Sequence, residues 1–378
     1  MTTAQATFKP GLHLAVAAVG LIIAAGYAFS QLAGAGHASF NTTNLGVVWG
    51  LPVVVYDYFL LTSTGLVLVA SLSLVFGLRD FDPLVERCIR LAIAGLVGGV
   101  AVLFLELGHP FRALLTAPFA LQTASPLFWK ILCVGAYTVV LVLLALDLSG
   151  RGTVGVGRRT LGIAATALAL LVTLIAGSVY GMMAMRPFWF GGETPVAFLI
   201  ESFIGGIAFT VFFTYLAYGF SDAGMPAGLK ALLGGPLAKL HAAVIALHLM
   251  FVLGRAITGL WSNAEGLQVW QYITAQPLFY VGLLGGTVLP LILMAMPSTR
   301  TRASAQIVAA LLVMIGLLIS RYEFIIGGQQ VPMFKGSWAS GLVHYAPSPT
   351  EWALLVVAVA LANVVYALAE RWSSSRNG

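Results

Sequence analysis

The chain has 378 residues, of which 60% are hydrophobic and 8% charged, and its net charge is +6. Soluble domains carry about 25% charged residues, and a water-soluble fold could not hide this much apolar surface. The positive balance sits in short segments between apolar runs, so it reads as membrane topology and does not imply nucleic acid.

A membrane span needs about 20 apolar residues. In chain order, Met1–Pro10 carries one lysine, and the apolar run behind it is long enough to remain as a span, so no cleaved signal peptide is expected. Spans are predicted at 11–33, 53–78, 88–108, 127–148, 160–185, 196–220, 236–261, 277–297, 303–327 and 350–370. The expected fold is an all-α integral membrane protein, one membrane domain over 1–378 with ten transmembrane helices. One face receives Lys9, Arg79, Arg87, Arg90, Arg151, Arg158, Arg159, Lys230, Lys239, Arg300, Arg302, Arg371 and Arg376; the other receives only Arg112, Lys130, Arg186 and Lys335. The positive-inside rule then places both termini in the cytoplasm. The outer loops are longer and carry Trp49, Trp189, Trp261, Trp270 and Trp338.

Two segments repeat. Leu107-Gly108-His109 closes span three and Leu253-Gly254-Arg255 is matched to it near the end of span seven; Pro126-Leu127-Phe128-Trp129 then matches Pro277-Leu278-Phe279-Tyr280. The offset of four spans predicts a first four-helix bundle over 53–185 and a second over 196–327, with 11–33 and 350–370 as flanking helices.

Charges in hydrocarbon are costly and need partners or a task. Asp57, Glu106, His109, Lys130, Glu201, Arg255, Arg321 and Glu323 lie in or at the ends of spans, all on the expected outer side. The densest stretch is Glu106-Leu-Gly-His109-Pro-Phe-Arg112; Tyr56, Asp57 and Tyr58 open span two, and Trp129 and Lys130 open span four. A carboxylate, an imidazole and a tyrosine around an apolar cleft could hydrogen-bond the carbonyl oxygens of a quinone and exchange its protons. Asp57, Glu106 and His109 are the proton-transfer candidates, and Tyr56, Tyr58, Arg112, Trp129 and Lys130 would line or brace the pocket. The structural alternative is an ion pair of Glu106 with Lys130 or Arg112 at a helix end. In span seven, His241, His248 and Arg255 recur every seven residues on one stripe. Glu201 on span six and Arg321 and Glu323 on span nine can join its outer end, and the stripe could form a proton path through the second bundle, or simply hold helices together.

No thiol cluster or metal site is expected from Cys88 and Cys133, which sit on different spans. Haem b needs two histidines at one depth on different helices, and His248 has no such partner, so haem is disfavoured.

Together, Trp49-Gly-Leu-Pro-Val-Val-Val-Tyr56, Gly108-His109-Pro110-Phe-Arg112, Ser125-Pro126-Leu-Phe-Trp129-Lys130, Arg321-Tyr322-Glu-Phe-Ile-Ile-Gly327-Gly-Gln329 and Tyr345-Ala-Pro347-Ser348-Pro-Thr-Glu351 give the chain a likeness that covers nearly its whole length. In this order the segments resemble the NrfD/PsrC family, the polysulfide reductase membrane subunits. The resemblance implies an anchor in a bacterial inner membrane that binds menaquinone or ubiquinone as substrate and holds no haem or iron–sulfur cluster of its own. It implies a periplasmic four-cluster ferredoxin-like iron–sulfur partner and, beyond that, a molybdopterin or multihaem catalytic subunit. Alone, such a chain would have no catalytic activity. The departures are His109, where an arginine often precedes the proline, and Asp57, an unusually polar residue so early in span two. A secondary transporter is the alternative, but transporters break helices near the midplane, whereas these charges gather at helix ends.

Overall fold

The structure, a computed structural model, describes residues 10–43, 46–116, 119–150, 155–262, 264, 266–332 and 341–374. Lys9, Arg151, Lys335, Trp338 and Arg376 lie outside the described residues. Among those described there is no strand, and ten helices are long and apolar enough to cross a membrane. They are α1 (Pro10–Ala35), α2 (Leu51–Leu74), α3 (Asp82–Glu106), α4 (Pro126–Leu148), α5 (Arg158–Gly181), α6 (Glu193–Ala217), α7 (Ala227–Trp261), α8 (Pro277–Ala295), α9 (Ala303–Gln330) and α10 (Pro349–Ser374). Proline opens α2, α3, α4 and α8 within the first two positions, where its missing N–H costs nothing and its fixed φ suits a helix start.

Nine of the spans begin and end within about six residues of expectation. The exception is α7, which starts at Ala227 and not near 236. Gly234, Gly235 and Pro236 read as a break, but a π-helical turn over Leu233–Leu237 absorbs the proline and the helix continues through it. A second π-helical stretch, Val281–Val288, lies within α8. The matched tripeptides are not equivalent in structure: α3 stops at Glu106, whereas α7 runs past Arg255 to Trp261. Pro126 and Pro277 are equivalent, each opening its helix.

α2 is the most enclosed of the ten, its apolar stretch being almost entirely buried. It packs on α3, α5, α6, α9 and α10; α3 packs on α4 and α4 on α5. On the other side α6 packs on α7, α7 on α8, α8 on α9 and α9 back on α6. α1 lies against α10, which lies against α3. Lipid is as apolar as a leucine side chain, so helix association here rests on close contact and buried hydrogen bonds. The α2–α6 crossing shows it: a Cβ on Gly65 would collide with the Ser202 carbonyl oxygen, and one on Gly206 with the Gly65 carbonyl group. Thr64 Oγ1 adds hydrogen-bond contacts with Ser202 Oγ (3.0 Å) and Thr173 Oγ1 (2.8 Å) at the same level.

One end of the molecule carries the longer connections, and they are tied down there. Gln329, near the end of α9, accepts from the N–H groups of Val48 (3.0 Å) and Trp49 (2.9 Å) and donates to the Trp49 carbonyl (2.9 Å). Ser348 and Glu351 form a capping box on α10: Ser348 N–H donates to Glu351 (2.7 Å) and Glu351 N–H donates to Ser348 Oγ (3.2 Å). The same carboxylate accepts from the Tyr345 hydroxyl (2.5 Å), which itself accepts from Leu51 N–H (2.8 Å). Burial and this carboxylate push the Tyr345 hydroxyl above its ordinary range. Arg186, its pKa lowered by burial, donates to the Gly328, Gln329 and Val331 carbonyls at the end of α9.

Candidate functional site

Asp57 lies in the second turn of α2, about 9 Å below the loop-rich end at 1.5 Å per residue. Its side chain is completely buried, and an isolated carboxylate would be prohibitively costly there. α4 supplies the partner: Lys130 Nζ donates to Asp57 Oδ1 at 3.1 Å. α5 supplies a second: the Tyr180 hydroxyl donates to Oδ2 at 2.5 Å. Lys130 Nζ also stands 4.8 Å from the centre of the Tyr56 ring, so the ammonium is shared between a carboxylate and an aromatic face. Three helices thus meet in one charge-compensated cluster close to one mouth of the molecule.

An aromatic shell fixes Tyr180. Trp49 meets its ring edge-on at 5.6 Å and Trp189 at 5.1 Å, and the two tryptophans stack at 5.6 Å with planes 20° apart. Trp189 Nε1 donates to the Phe324 carbonyl (2.7 Å), locking the indole.

The other residues expected around this site are distributed more widely. Tyr58, two positions on from Tyr56, points to the far side of α2 and donates to the Met314 carbonyl of α9 at 3.1 Å. Glu106 ends α3 seven residues beyond Gly99, whose surroundings include the Tyr56 backbone, so it sits about 10 Å nearer the surface than Tyr56. Its carbonyl accepts from His37 Nε2 at 2.8 Å; Lys130, one of the two cations that the structural alternative offered to Glu106, pairs with Asp57 instead. His109, the residue before the short helix Pro110–Leu115, and Arg112 within it are exposed. Trp129 is 45% exposed and donates to the Thr123 carbonyl at 2.9 Å, so it stands at the rim beside Lys130.

A second buried cluster lies between α6, α7 and α9. Arg321 of α9 is ion-paired with Glu201 of α6, which also accepts from Ser320 Oγ (3.1 Å) and faces His248 Nδ1 of α7 at 3.9 Å. Of the seven-residue stripe, His248 therefore joins Glu201. Arg255 instead donates to the Phe188 carbonyl at 2.6 Å and lies over the rings of Phe188, Trp270 and Phe324. His241 is buried with its Nε2 unpartnered, about 10 Å further along. Arg321 joins Glu201 and His248 as its place on span nine suggests, and Tyr180 is the member that the sequence reading does not single out. Sorting every polar group by depth would have placed Tyr180 level with Asp57.

Among the described residues no group of three or more His, Cys, Asp or Glu side chains is gathered as a metal site. The arrangement gathers a carboxylate, an ammonium and a phenol, groups that can hydrogen-bond and exchange protons, in one buried cluster beside an aromatic shell.

The family profile described as polysulphide reductase, NrfD, matches residues 39–333. The chain belongs to the NrfD family. Relatives of this NrfD-family chain are components of reductases. A selenate reductase component from Mesobacillus selenatarsenatis is 24% identical, over 85% of this chain and 84% of that protein. The membrane component of a putative dimethyl sulfoxide reductase from Halobacterium salinarum is 23% identical, over 84% of this chain and 81% of its own. The integral membrane component of a menaquinone reductase from Nitratidesulfovibrio vulgaris is 26% identical, over 78% and 75% respectively. The NrfD-family chain is accordingly a multi-pass membrane component of an oxidoreductase complex.

Proposed function

We propose that this NrfD-family chain binds quinol or quinone at its loop-rich end and exchanges electrons between the membrane quinone pool and a periplasmic iron–sulfur subunit. The observation that carries the reading is the buried Asp57–Lys130–Tyr180 cluster, which gives a membrane-embedded carboxylate a cation and a phenol within reach of an aromatic wall. In this reading the quinone ring enters between Glu106 and Trp129 and hydrogen-bonds Lys130. Asp57 takes or gives the proton, and Glu106 and His109 relay it to the surface. Tyr56 braces Lys130, and Tyr58 and Arg112 act as supports of helix and rim. Quinol oxidation releases two electrons and two protons; the electrons pass to a ferredoxin-like partner with four clusters and then to a molybdopterin or multihaem catalytic subunit. The reverse direction uses the same groups.

Orientation supports this reading. Arg79, Arg87, Arg90, Arg158, Arg159, Lys230, Lys239, Arg300, Arg302 and Arg371 all lie toward the opposite end. The loop-rich end therefore faces the periplasm of a bacterial inner membrane, with both termini inside. The ring of contacts α2–α3–α4–α5 and the ring α6–α7–α8–α9 support two four-helix bundles, flanked by α1 and α10. In the second bundle Glu201, His248, His241 and Arg255 mark a proton path whose gaps water would bridge.

The test is affinity purification of the tagged full chain from native membranes in mild detergents. A cluster-bearing ferredoxin-like protein among the co-purifying chains is the expected result. A chain that emerges alone from several gentle detergents overturns the electron-transfer role.

A further inference from the structure

A groove of about 640 Å³ runs along the outside of α3, walled by α1, α4 and α10. Its lining on α3 extends from Ile93 to Leu105, about 18 Å along the axis, and Thr138 of α4 contributes its one hydroxyl side chain. Val97 and Val100 are 39% and 38% exposed, so the groove opens sideways to the surrounding hydrocarbon. Its loop-rich end is formed by Phe104 and Leu105, the two residues before Glu106, and Phe104 meets Phe111 edge-on at 5.3 Å.

We propose that this groove holds the polyisoprenoid tail of a membrane quinol whose ring sits at the loop-rich end; the proposal rests on the quinone reading above. Charge selects this occupant over a phospholipid. At the basic end the groove abuts a polar cleft containing Arg90, Glu86 and Ser149. Arg90 is already ion-paired with Glu86 and with Glu370, so it offers no spare positive charge to a phosphate. At the other end the next residue is Glu106, a carboxylate that repels one, and the cation of the following short helix, Arg112, is exposed and outside the groove lining. A neutral-headed chain of branched hydrocarbon matches a wall without charge. The groove then acts as a lateral entrance, aligning the ring with Glu106 and Lys130 while the tail is still in lipid.

The test compares the full-length protein in nanodiscs binding menaquinone-4, which has a four-isoprene tail, and menadione, which has the same ring and no tail. Binding is read from tryptophan fluorescence quenching. The variants Ala101→Trp and Val97→Trp fill the groove from its lipid side, and Ile292→Trp, on exposed α8 surface, is the control. The wild type and the control are expected to bind menaquinone-4 at least about tenfold more tightly than menadione. In the two groove variants the ratio should fall to within about twofold, with menadione affinity kept. A preference that survives in both variants overturns the groove. So does a phospholipid found by native mass spectrometry to leave with the substitution while the preference stays. If the wild type binds neither compound, the quinone reading itself fails.

Discussion

Asp57 and Lys130 are individually conspicuous in the sequence, because each interrupts an apolar run near its end. That the two pair could not be read there. A lysine at the start of one helix can reach several carboxylates, and neighbour choice is set by which helices touch; Glu106 was the nearer candidate in sequence and is not the partner. Tyr180 was hidden for another reason: tyrosines at helix ends also serve as interfacial anchors, so its hydrogen bond to Asp57 has no sequence signature. The pairing makes a quantitative prediction. Removing one member of a buried pair strands the other, at a cost of about 3–5 kcal/mol, whereas removing both is nearly neutral. Asp57→Asn and Lys130→Met should each lower unfolding stability in detergent by roughly that amount, and the double variant should recover most of it. Additive losses would show that the two side chains do not depend on each other.

The spans themselves were legible because twenty apolar residues between basic or loop-forming segments admit little else. The onset of α7 was not, since Gly234-Gly235-Pro236 has the composition of a turn and only packing keeps it helical. The glycines tell a similar story. Gly205-Gly206 and Gly285-Gly286 look alike in sequence, yet Gly206 lies against the backbone of Gly65 and Gly286 against Gly316, while Gly285 faces open space. Gly206→Ala should therefore force α2 and α6 apart and cost about 3 kcal/mol or more, seen as a lower yield of folded protein on size exclusion. Gly285→Ala should be tolerated. Equal behaviour of the two variants would contradict the close crossing.

At the scale of the molecule, the order of loose motifs carried the family where no single motif could, and the profile match over 39–333 agrees. Sidedness rests on charge distribution. Thr123→Cys in the loop before α4 should react with a membrane-impermeant maleimide added to intact cells, and Ser221→Cys between α6 and α7 only after the cells are opened. The native cysteines, Cys88 and Cys133, are buried and should stay silent. The opposite labelling would invert the topology and place the Asp57 cluster at the cytoplasmic face.

The central claim is that a quinone ring binds beside the Asp57–Lys130 pair. A photoactivatable azidoquinone, cross-linked in native membranes and mapped by peptide mass spectrometry, tests it directly. Labelled peptides from the starts of α2 and α4, around Tyr56 and Trp129–Lys130, competed away by excess quinone, are the predicted result. Label confined to α7–α9, or none that excess quinone displaces, would contradict it.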